Sequence, residues 1–272
     1  MPGVPGRGRC VLSESQGKVA IITGAGTGIG LSTARLLAAR GVAIVAIGRR
    51  IEPLEALAAE VRGQAEVLTL PMDVTAKDSA QTAVSRAVGR FGRLDYLVNN
   101  AGLGKPAPVH ETTDEILDLF LDIHLRTPFR FCREALPAMK SGASIVNLSS
   151  TFGILGGLRG GAYSAAKAGV IGLTKHMAAQ YGAQGIRTNV VAPGVTETPM
   201  TAYNWNNERF RRMHFEMTPM NRTCKAEDVA EAIVFLLSDA AGFINGQVIA
   251  VDGGWTTTKY IAEEALSAER VK

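Results

Sequence analysis

Lys18–Gly30 reads KVAIITGAGTGIG. A short apolar run, Lys18–Thr23, stops in a turn rich in glycine. Ile29, Thr33, Leu36, Leu37 and Ala38 then follow a helical pattern, which Gly41 closes. Strand, glycine turn and helix in that order present backbone N–H groups and a helix N-terminus to a diphosphate. The spacing through Gly24, Gly28 and Gly30 is G-x-x-x-G-x-G, not the commoner G-x-G-x-x-G. A glycine loop alone is a weak signal, but this one opens the chain's first βα unit and a second strand follows.

That second strand, Val42–Ile47 (VAIVAI), is an unbroken apolar run, as expected of a parallel strand buried on both faces. Further strands are expected at Glu66–Leu70, Asp95–Val98, Ala143–Leu148, Ile186–Val191 and Gly246–Val251. Helices are expected at Pro53–Val61, Ala76–Phe91, Thr113–Lys140, Gly161–Gln184 and Lys225–Leu237. The chain therefore reads as one α/β domain over residues 17–257, with tails at 1–16 and 258–272. The C-terminal tail has the pattern of a short amphipathic helix over Lys259–Val271. Pro199–Thr223 shows no clean strand or helix period and is expected to be an irregular lid. Its Trp205, Phe210 and Met220 suit a bulky apolar substrate, and Arg209, Arg211 and Arg212 leave an anionic group open. His214 in this stretch reads as a packing residue.

The composition agrees with a single soluble domain: 272 residues, 46% hydrophobic, 20% charged, net charge +4. That charge is modest and lacks the Lys/Arg blocks of a nucleic-acid binder. No apolar run approaches the ~18 residues of a membrane helix. Cys10, Cys132 and Cys224 are far apart, which suggests neither a disulfide framework nor a metal site and fits a reducing cytoplasm.

A third feature carries chemistry. Ser150 ends an apolar run, Tyr163 follows thirteen residues later, and Lys167 follows four after that. Residues four apart share a helix face, so phenol and ammonium can point into one space. A nearby cation is expected to lower the phenol pKa, and Ser150 can hold a carbonyl oxygen beside it. Such a site can exchange a proton with a secondary alcohol.

Taken together, TGAGTGIG, Asn99–Gly102 (NNAG), Ser150, Tyr163-x-x-x-Lys167 and Pro193-Gly194 resemble the short-chain dehydrogenase/reductase family in order and spacing. The resemblance runs from about Lys18 to Trp255. It implies a Rossmann-type, doubly wound parallel sheet of about seven strands and NAD(P)(H)-dependent oxidation or reduction of an alcohol or carbonyl. It further implies Ser150 as holder of the substrate oxygen, Tyr163 as acid-base, and Lys167 as ribose ligand and modifier of Tyr163. Cofactor contacts are expected from Gly24, Thr27, Gly28, Ile29 and Gly30, and from Asn100, Ala101 and Gly102. Asp73 and Val74 are expected at the adenine, and Pro193, Gly194, Thr196 and Thr198 at the nicotinamide. Asp73 reads equally as the N-cap of the helix Ala76–Phe91. Homotetramers or homodimers are expected, by resemblance and from the amphipathic helices at Thr113–Lys140 and Gly161–Gln184.

Two features, at Arg49-Arg50 and at His124, depart from the common pattern or refine it. Arg49 and Arg50 stand where NAD-binding sites place an acid, so NADP(H) is favoured over NAD(H). His124 stands where the family usually has Asn, a residue whose backbone carbonyl, by resemblance, holds a relay water. Residue 128 is Pro and has no N–H to give the His124 carbonyl, so that carbonyl is expected to be free and the imidazole to pack. The leading expectation is an NADP(H)-linked carbonyl reductase or alcohol dehydrogenase. The alternatives are a 3-oxoacyl-thioester reductase, an NAD-linked dehydrogenase of a sugar, steroid or cyclic alcohol, and a non-enzymatic nucleotide sensor, which the presence of Ser150, Tyr163 and Lys167 disfavours.

Overall fold

Runs of Val, Ile and Ala set the strands, because each strand is buried on both faces. β1 (Val19–Thr23), β2 (Ala43–Gly48), β3 (Val67–Pro71), β4 (Tyr96–Asn99), β5 (Ser144–Leu148) and β6 (Arg187–Pro193) come in turn. Two short strands, β7 (Thr196–Glu197) and β8 (Cys224–Lys225), and then β9 (Val248–Val251) complete the set. This computed structural model describes residues 15–104, 107–157 and 160–258. Seven strands form one sheet in the order β3-β2-β1-β4-β5-β6-β9, parallel throughout. β7 and β8 make a separate parallel pair.

Successive strand residues point to opposite faces, and the core divides accordingly. Ala20, Ile22, Ile44 and Val98 belong to one buried layer, and Ile21, Val45, Leu97 and Ile145 to the other. The helices that cover these layers are α1 (Gly28–Ala38), α2 (Ile51–Glu60), α3 (Ser79–Phe91), α4 (Asp114–Leu121), α5 (Thr127–Ala135), α6 (Gly161–Tyr181), α7 (Ala202–Trp205), α8 (Glu208–Met217) and α9 (Ala226–Leu237). The strand order reverses between β1 and β4. In open α/β sheets the crevice beyond the carboxyl ends at such a switch point is where ligands bind. The doubly wound, single-domain fold expected from the sequence is the one found.

Four local expectations need correction. The helix expected over Thr113–Lys140 is interrupted by one π turn, Asp122–Arg126, between α4 and α5. Pro128 lies just beyond it. A prolyl ring clashes with the carbonyl four residues back, and a wider turn relieves that clash. Second, Asp73 does not cap α3, which starts at Ser79. Its carboxylate instead accepts from the Thr75 N–H at 2.9 Å and the Thr75 hydroxyl at 2.8 Å, closing a turn of its own. Third, the stretch expected to be irregular holds α7 and α8. Phe210 and His214, one helical turn apart, have ring centroids 4.3 Å apart, and Arg212 pairs with Glu216 at 2.8 Å. Fourth, β7 and β8 had no expected counterpart. The helix expected over Lys259–Val271 lies outside the described residues. No helix among the described residues is long and apolar enough to cross a membrane.

Candidate active site

The glycine turn is built by its neighbours. Thr23, at the end of β1, accepts the backbone N–H groups of Asn100 (2.9 Å) and Ala101 (3.0 Å) through its hydroxyl. The Asn100 amide returns two bonds, to the carbonyls of Thr23 (2.9 Å) and Gly24 (3.3 Å). β1 and β4 are thereby locked together at the switch point. Gly30 admits no side chain, because a Cβ there would lie 2.2 Å from the Gly24 carbonyl oxygen.

Thr27 precedes α1 in extended backbone and makes no side-chain cap, and the first turn of α1 carries no acid. The leading N–H groups of the helix thus open on a cavity without an internal anion. That is the donor set a diphosphate requires, so these residues fit a dinucleotide. The cavity has a volume of about 300 Å³. Gly24, Thr27, Gly28 and Ile29 form its first wall, and Asn100, Ala101, Gly102 and His124 its second. Ser150, Tyr163 and Lys167 form the third, and Pro193, Gly194, Thr196 and Thr198 the fourth. A Cβ on Gly28 would meet Thr198 Cγ2 at 3.0 Å, so the first and fourth walls touch.

The third wall comes from two elements. Ser150 follows β5 and accepts from the Phe152 N–H at 3.2 Å. α6 brings Tyr163 and Lys167 to the same space, one helical turn apart. Ser149 donates to the Lys167 carbonyl at 2.8 Å, and the Lys167 ammonium donates to the Leu148 carbonyl at 2.7 Å. Burial pushes Lys167 down to about 7. Burial also holds Tyr163 above its ordinary value, with the Ser150 hydroxyl beside it working in the opposite direction. The sequence led us to expect a lowered phenol pKa. Within the protein alone, desolvation of the phenolate outweighs its stabilisation.

His124 is 1% exposed. Its ring stands edge-on to Tyr163, with centroids 5.0 Å apart and an interplanar angle of 86°. A Cβ on Gly102 would lie 2.7 Å from His124 Cε1, so glycine at 102 makes room for this imidazole.

Five expected cofactor residues, Gly30, Arg49, Arg50, Asp73 and Val74, do not line this cavity. Arg49 and Arg50 are exposed at the end of β2. Asp73 is held below the usual carboxylate range by Thr75, first through its N–H and then its hydroxyl, with a smaller contribution from the Arg49 charge. Val74 is buried and its carbonyl accepts from Ser79 Oγ at 2.8 Å. Conversely, Phe152 and Thr201 line the cavity unanticipated. Thr201 is the hub of its wall. Its hydroxyl donates to the Thr196 carbonyl at 2.6 Å and accepts from the Thr198 N–H at 3.1 Å and Trp205 Nε1 at 3.2 Å. The cluster of threonines in APGVTETPMT was the available signal.

A second cavity of about 410 Å³ adjoins through Gly194 and Val195 and lies under α7 and α8. Trp205, His214, Met220 and Trp255 line it. Its charged groups are matched within the protein. Arg222 meets both oxygens of Asp228 at 2.7 and 2.9 Å. Asp252 accepts from the N–H groups of Gly254 and Thr256, both at 2.9 Å, and from the Thr256 hydroxyl at 2.6 Å.

Comparison with known proteins agrees with this geometry. A family model described as enoyl-(acyl carrier protein) reductase matches residues 24–256. The chain is 44% identical to cis-4-hydroxycyclohexanecarboxylate dehydrogenase of Sinomonas cyclohexanicum, over 88% of this chain and 96% of that one. It is 39% identical to the 3-oxoacyl-[acyl-carrier-protein] reductase FabG of Thermotoga maritima, over 88% and 98%. The crystal structure of levodione reductase superposes with a TM-score of 0.85 at 36% identity, covering 89% of this chain and 99% of that one. With the glycine turn, the Ser150–Tyr163–Lys167 wall and these likenesses together, the chain belongs to the short-chain dehydrogenase/reductase family of NAD(P)-dependent oxidoreductases.

Proposed function

We propose that this protein is an NADP(H)-linked carbonyl reductase or secondary-alcohol dehydrogenase acting on an uncharged small molecule. The observation that carries this reading is the meeting of Ser150, Tyr163 and Lys167 on a wall of the cavity that also receives the N-terminus of α1. Lys167 would hold the ribose of a dinucleotide bound along the glycine turn, and Thr196 and Thr198 its nicotinamide; bound there, the cofactor would supply or take up the hydride. In reduction Tyr163 gives its phenolic proton to the nascent alkoxide oxygen, which Ser150 holds. A phenol kept above its ordinary pKa is protonated at neutral pH, the state a proton donor needs.

Arg49 at the end of β2 supports NADP(H), since a guanidinium suits a 2′-phosphate. The matched charges of the second cavity support an uncharged substrate, because a buried carboxylate without a partner is costly. A second reading, reduction of a 3-oxoacyl thioester, is favoured by the likeness to the Thermotoga reductase. Turnover of neutral cyclic ketones, their carboxylated analogues and a 3-oxoacyl thioester, each with NADPH and NADH, separates the readings. NADPH-dependent reduction of the neutral ketones is the expected result, and activity confined to the thioester would displace it.

We also infer a homotetramer or homodimer in a reducing cytoplasm. Phe235 on α9, Ile249 on the edge strand β9, and Phe243 between these two elements are exposed apolar groups, and Cys132 and Cys224 are free thiols. A monomer mass by light scattering at micromolar concentration would refute the oligomer.

A further inference from the structure

Phe152 follows Ser150 by two residues and carries no group that moves a proton, yet the loop beyond it is shaped around its ring. A Cβ on Gly157 would lie 2.6 Å from Cε1 and 2.7 Å from Cζ of that ring, and a Cβ on Gly160 would meet Cδ2 at 3.5 Å. The two glycines thus close on opposite edges of the ring. The Phe152 N–H donates to Ser150 Oγ at 3.2 Å, so the backbone that carries the ring also fixes the serine.

Trp255 packs against Phe152, with ring centroids 6.1 Å apart and planes at 43°. Its own turn is held in place. The Asp252 carboxylate accepts from Gly254 and Thr256 there, and a Cβ on Gly254 would meet Pro219 Cγ at 3.1 Å. The two rings belong to different cavities. Phe152 lines the catalytic cavity, Trp255 lines the second, and Gly194 and Val195 line both. The ring pair and the Gly194-Val195 backbone therefore frame the boundary between the two. A ring fixed on both sides sets a size limit there, because packed side chains yield little.

A ketone carbon carries two substituents. The catalytic cavity of about 300 Å³ must also receive the nicotinamide end of the cofactor, and pockets for small ligands commonly span roughly 300–1,000 Å³. It leaves room for one small group beside Ser150 and Tyr163. The second cavity is larger, about 410 Å³, and Trp205, Met220 and Trp255 give it apolar surface.

We propose that Phe152, backed by Trp255, is the specificity-determining residue that separates the two substituents of a neutral ketone. The larger passes along Gly194-Val195 into the second cavity, and the smaller stays beside Ser150. The inference rests on the reading of Ser150 and Tyr163 given above and deepens it. The substrate class is a ketone with one small and one bulky apolar substituent. The same partition fixes the configuration of the alcohol. With the oxygen held at Ser150 and Tyr163 and the hydride arriving from one side, exchanging the substituents would turn the opposite face of the carbonyl to the hydride.

The test uses methyl ketones whose second substituent grows from ethyl to cyclohexylmethyl, and the matching propyl ketones. kcat/KM and the enantiomeric excess of the alcohol are measured with NADPH, and cofactor Kd and Tm on the same samples. In wild type, one enantiomer should dominate with the bulky methyl ketones, and the propyl ketones should be poor substrates. In Phe152→Ala the enantiomeric excess should collapse, and kcat/KM for the propyl ketones should rise at least about tenfold, the scale of a few methylenes in an apolar pocket. Cofactor Kd should not change. Phe152→Leu and Trp255→Leu should shift both readouts in the same direction by less. Unchanged enantiomeric excess and an unchanged order of substrates in Phe152→Ala would overturn the proposal. If that variant fails to fold, the same result in both leucine variants would do so.

A binding measurement needs no turnover. Trp205 and Trp255 are the chain's two tryptophans, and both line the second cavity. Intrinsic fluorescence of the NADP⁺ complex, which cannot reduce a ketone, therefore reports entry of a substituent. Cyclohexylmethyl methyl ketone should change the emission and butanone should not. No change with a bulky ketone that is turned over would also overturn the proposal. A fluorescence change with bulky ketones and turnover of none would support the partition and strike the carbonyl-reductase reading instead.

Discussion

The Lys167 ammonium donates to the Leu148 carbonyl at 2.7 Å, so the helix that carries Tyr163 is pinned to the strand that ends beside Ser150. Ser149 makes the reciprocal bond, from its hydroxyl to the Lys167 carbonyl at 2.8 Å. A Cβ on Gly153 would fall 2.5 Å from the Ser149 hydroxyl, which shows how closely α6 and the turn after β5 approach. Spacing in the sequence puts Tyr163 and Lys167 on one face. These two bonds set that face against the serine.

The pinning has a cost that pH exposes. Lys167 falls from 10.5 to about 7 through burial. Between these values the unfolded chain binds the proton that the folded chain has released, so stability from this group grows as pH rises. It is fully present above 10.5 and lost as pH falls through about 7. Lys167→Met should therefore be most advantageous in Tm, relative to wild type, near pH 6, with the advantage shrinking toward pH 10. The variant should be inactive throughout. A Tm difference that does not change with pH would show that Lys167 is not strained by burial.

Tyr163→Phe removes one hydroxyl and leaves the ring against His124 and Phe120. Turnover should fall by about 10²- to 10⁴-fold, the usual worth of a positioned acid-base. NADPH should still bind, as measured by quenching of intrinsic fluorescence. Near-normal turnover would end the mechanism.

Arg49→Ala addresses the cofactor. Its guanidinium is exposed, close enough to Asp73 to influence that carboxylate. Loss of a charged hydrogen bond to a 2′-phosphate is worth about 1.5–3 kcal/mol. NADP(H) should weaken by that amount and NAD(H) hardly at all. Equal weakening of the two would remove Arg49 from the 2′-phosphate site.

The sequence showed the strands well because parallel strands buried on both faces need unbroken Val, Ile and Ala, and Ala43–Gly48 meets that need plainly. The glycine turn was legible because Gly24 and Gly28 adopt positive φ, where other residues are strained. The π turn was harder. Pro128 signals a disturbed helix but not which turn widens. β7 and β8 rest on backbone pairing of two residues each, with no side-chain period to betray them. α7 is only four residues long and α8 ten, so neither spans enough turns for a helical period to stand out in the sequence. The sign of the Tyr163 shift depends on burial from Phe120, His124 and the cavity wall, which no local pattern encodes.

A last prediction concerns a polar network below the switch point. The Asn99 amide donates to Asn147 Oδ1 at 2.8 Å, and the Asn147 amide donates to Thr174 Oγ1 at 2.9 Å. Asn147 and Thr174 are fully buried, and the three residues tie β4, β5 and α6 together. Thr174→Val keeps the shape of the side chain but removes the acceptor. The Asn147 amide is then left unsatisfied in the core, a loss of about 1–3 kcal/mol. For a chain of this size each kcal/mol lowers Tm by about 2–4 °C. Thr174 lies two helical turns beyond Lys167 and away from the cavity, so kcat at 25 °C should stay close to wild type. Thermal unfolding and steady-state rates on one preparation make the test. An unchanged Tm would mean that the network contributes nothing to stability. A large fall in kcat with an unchanged Tm would mean that it acts on the catalytic wall instead.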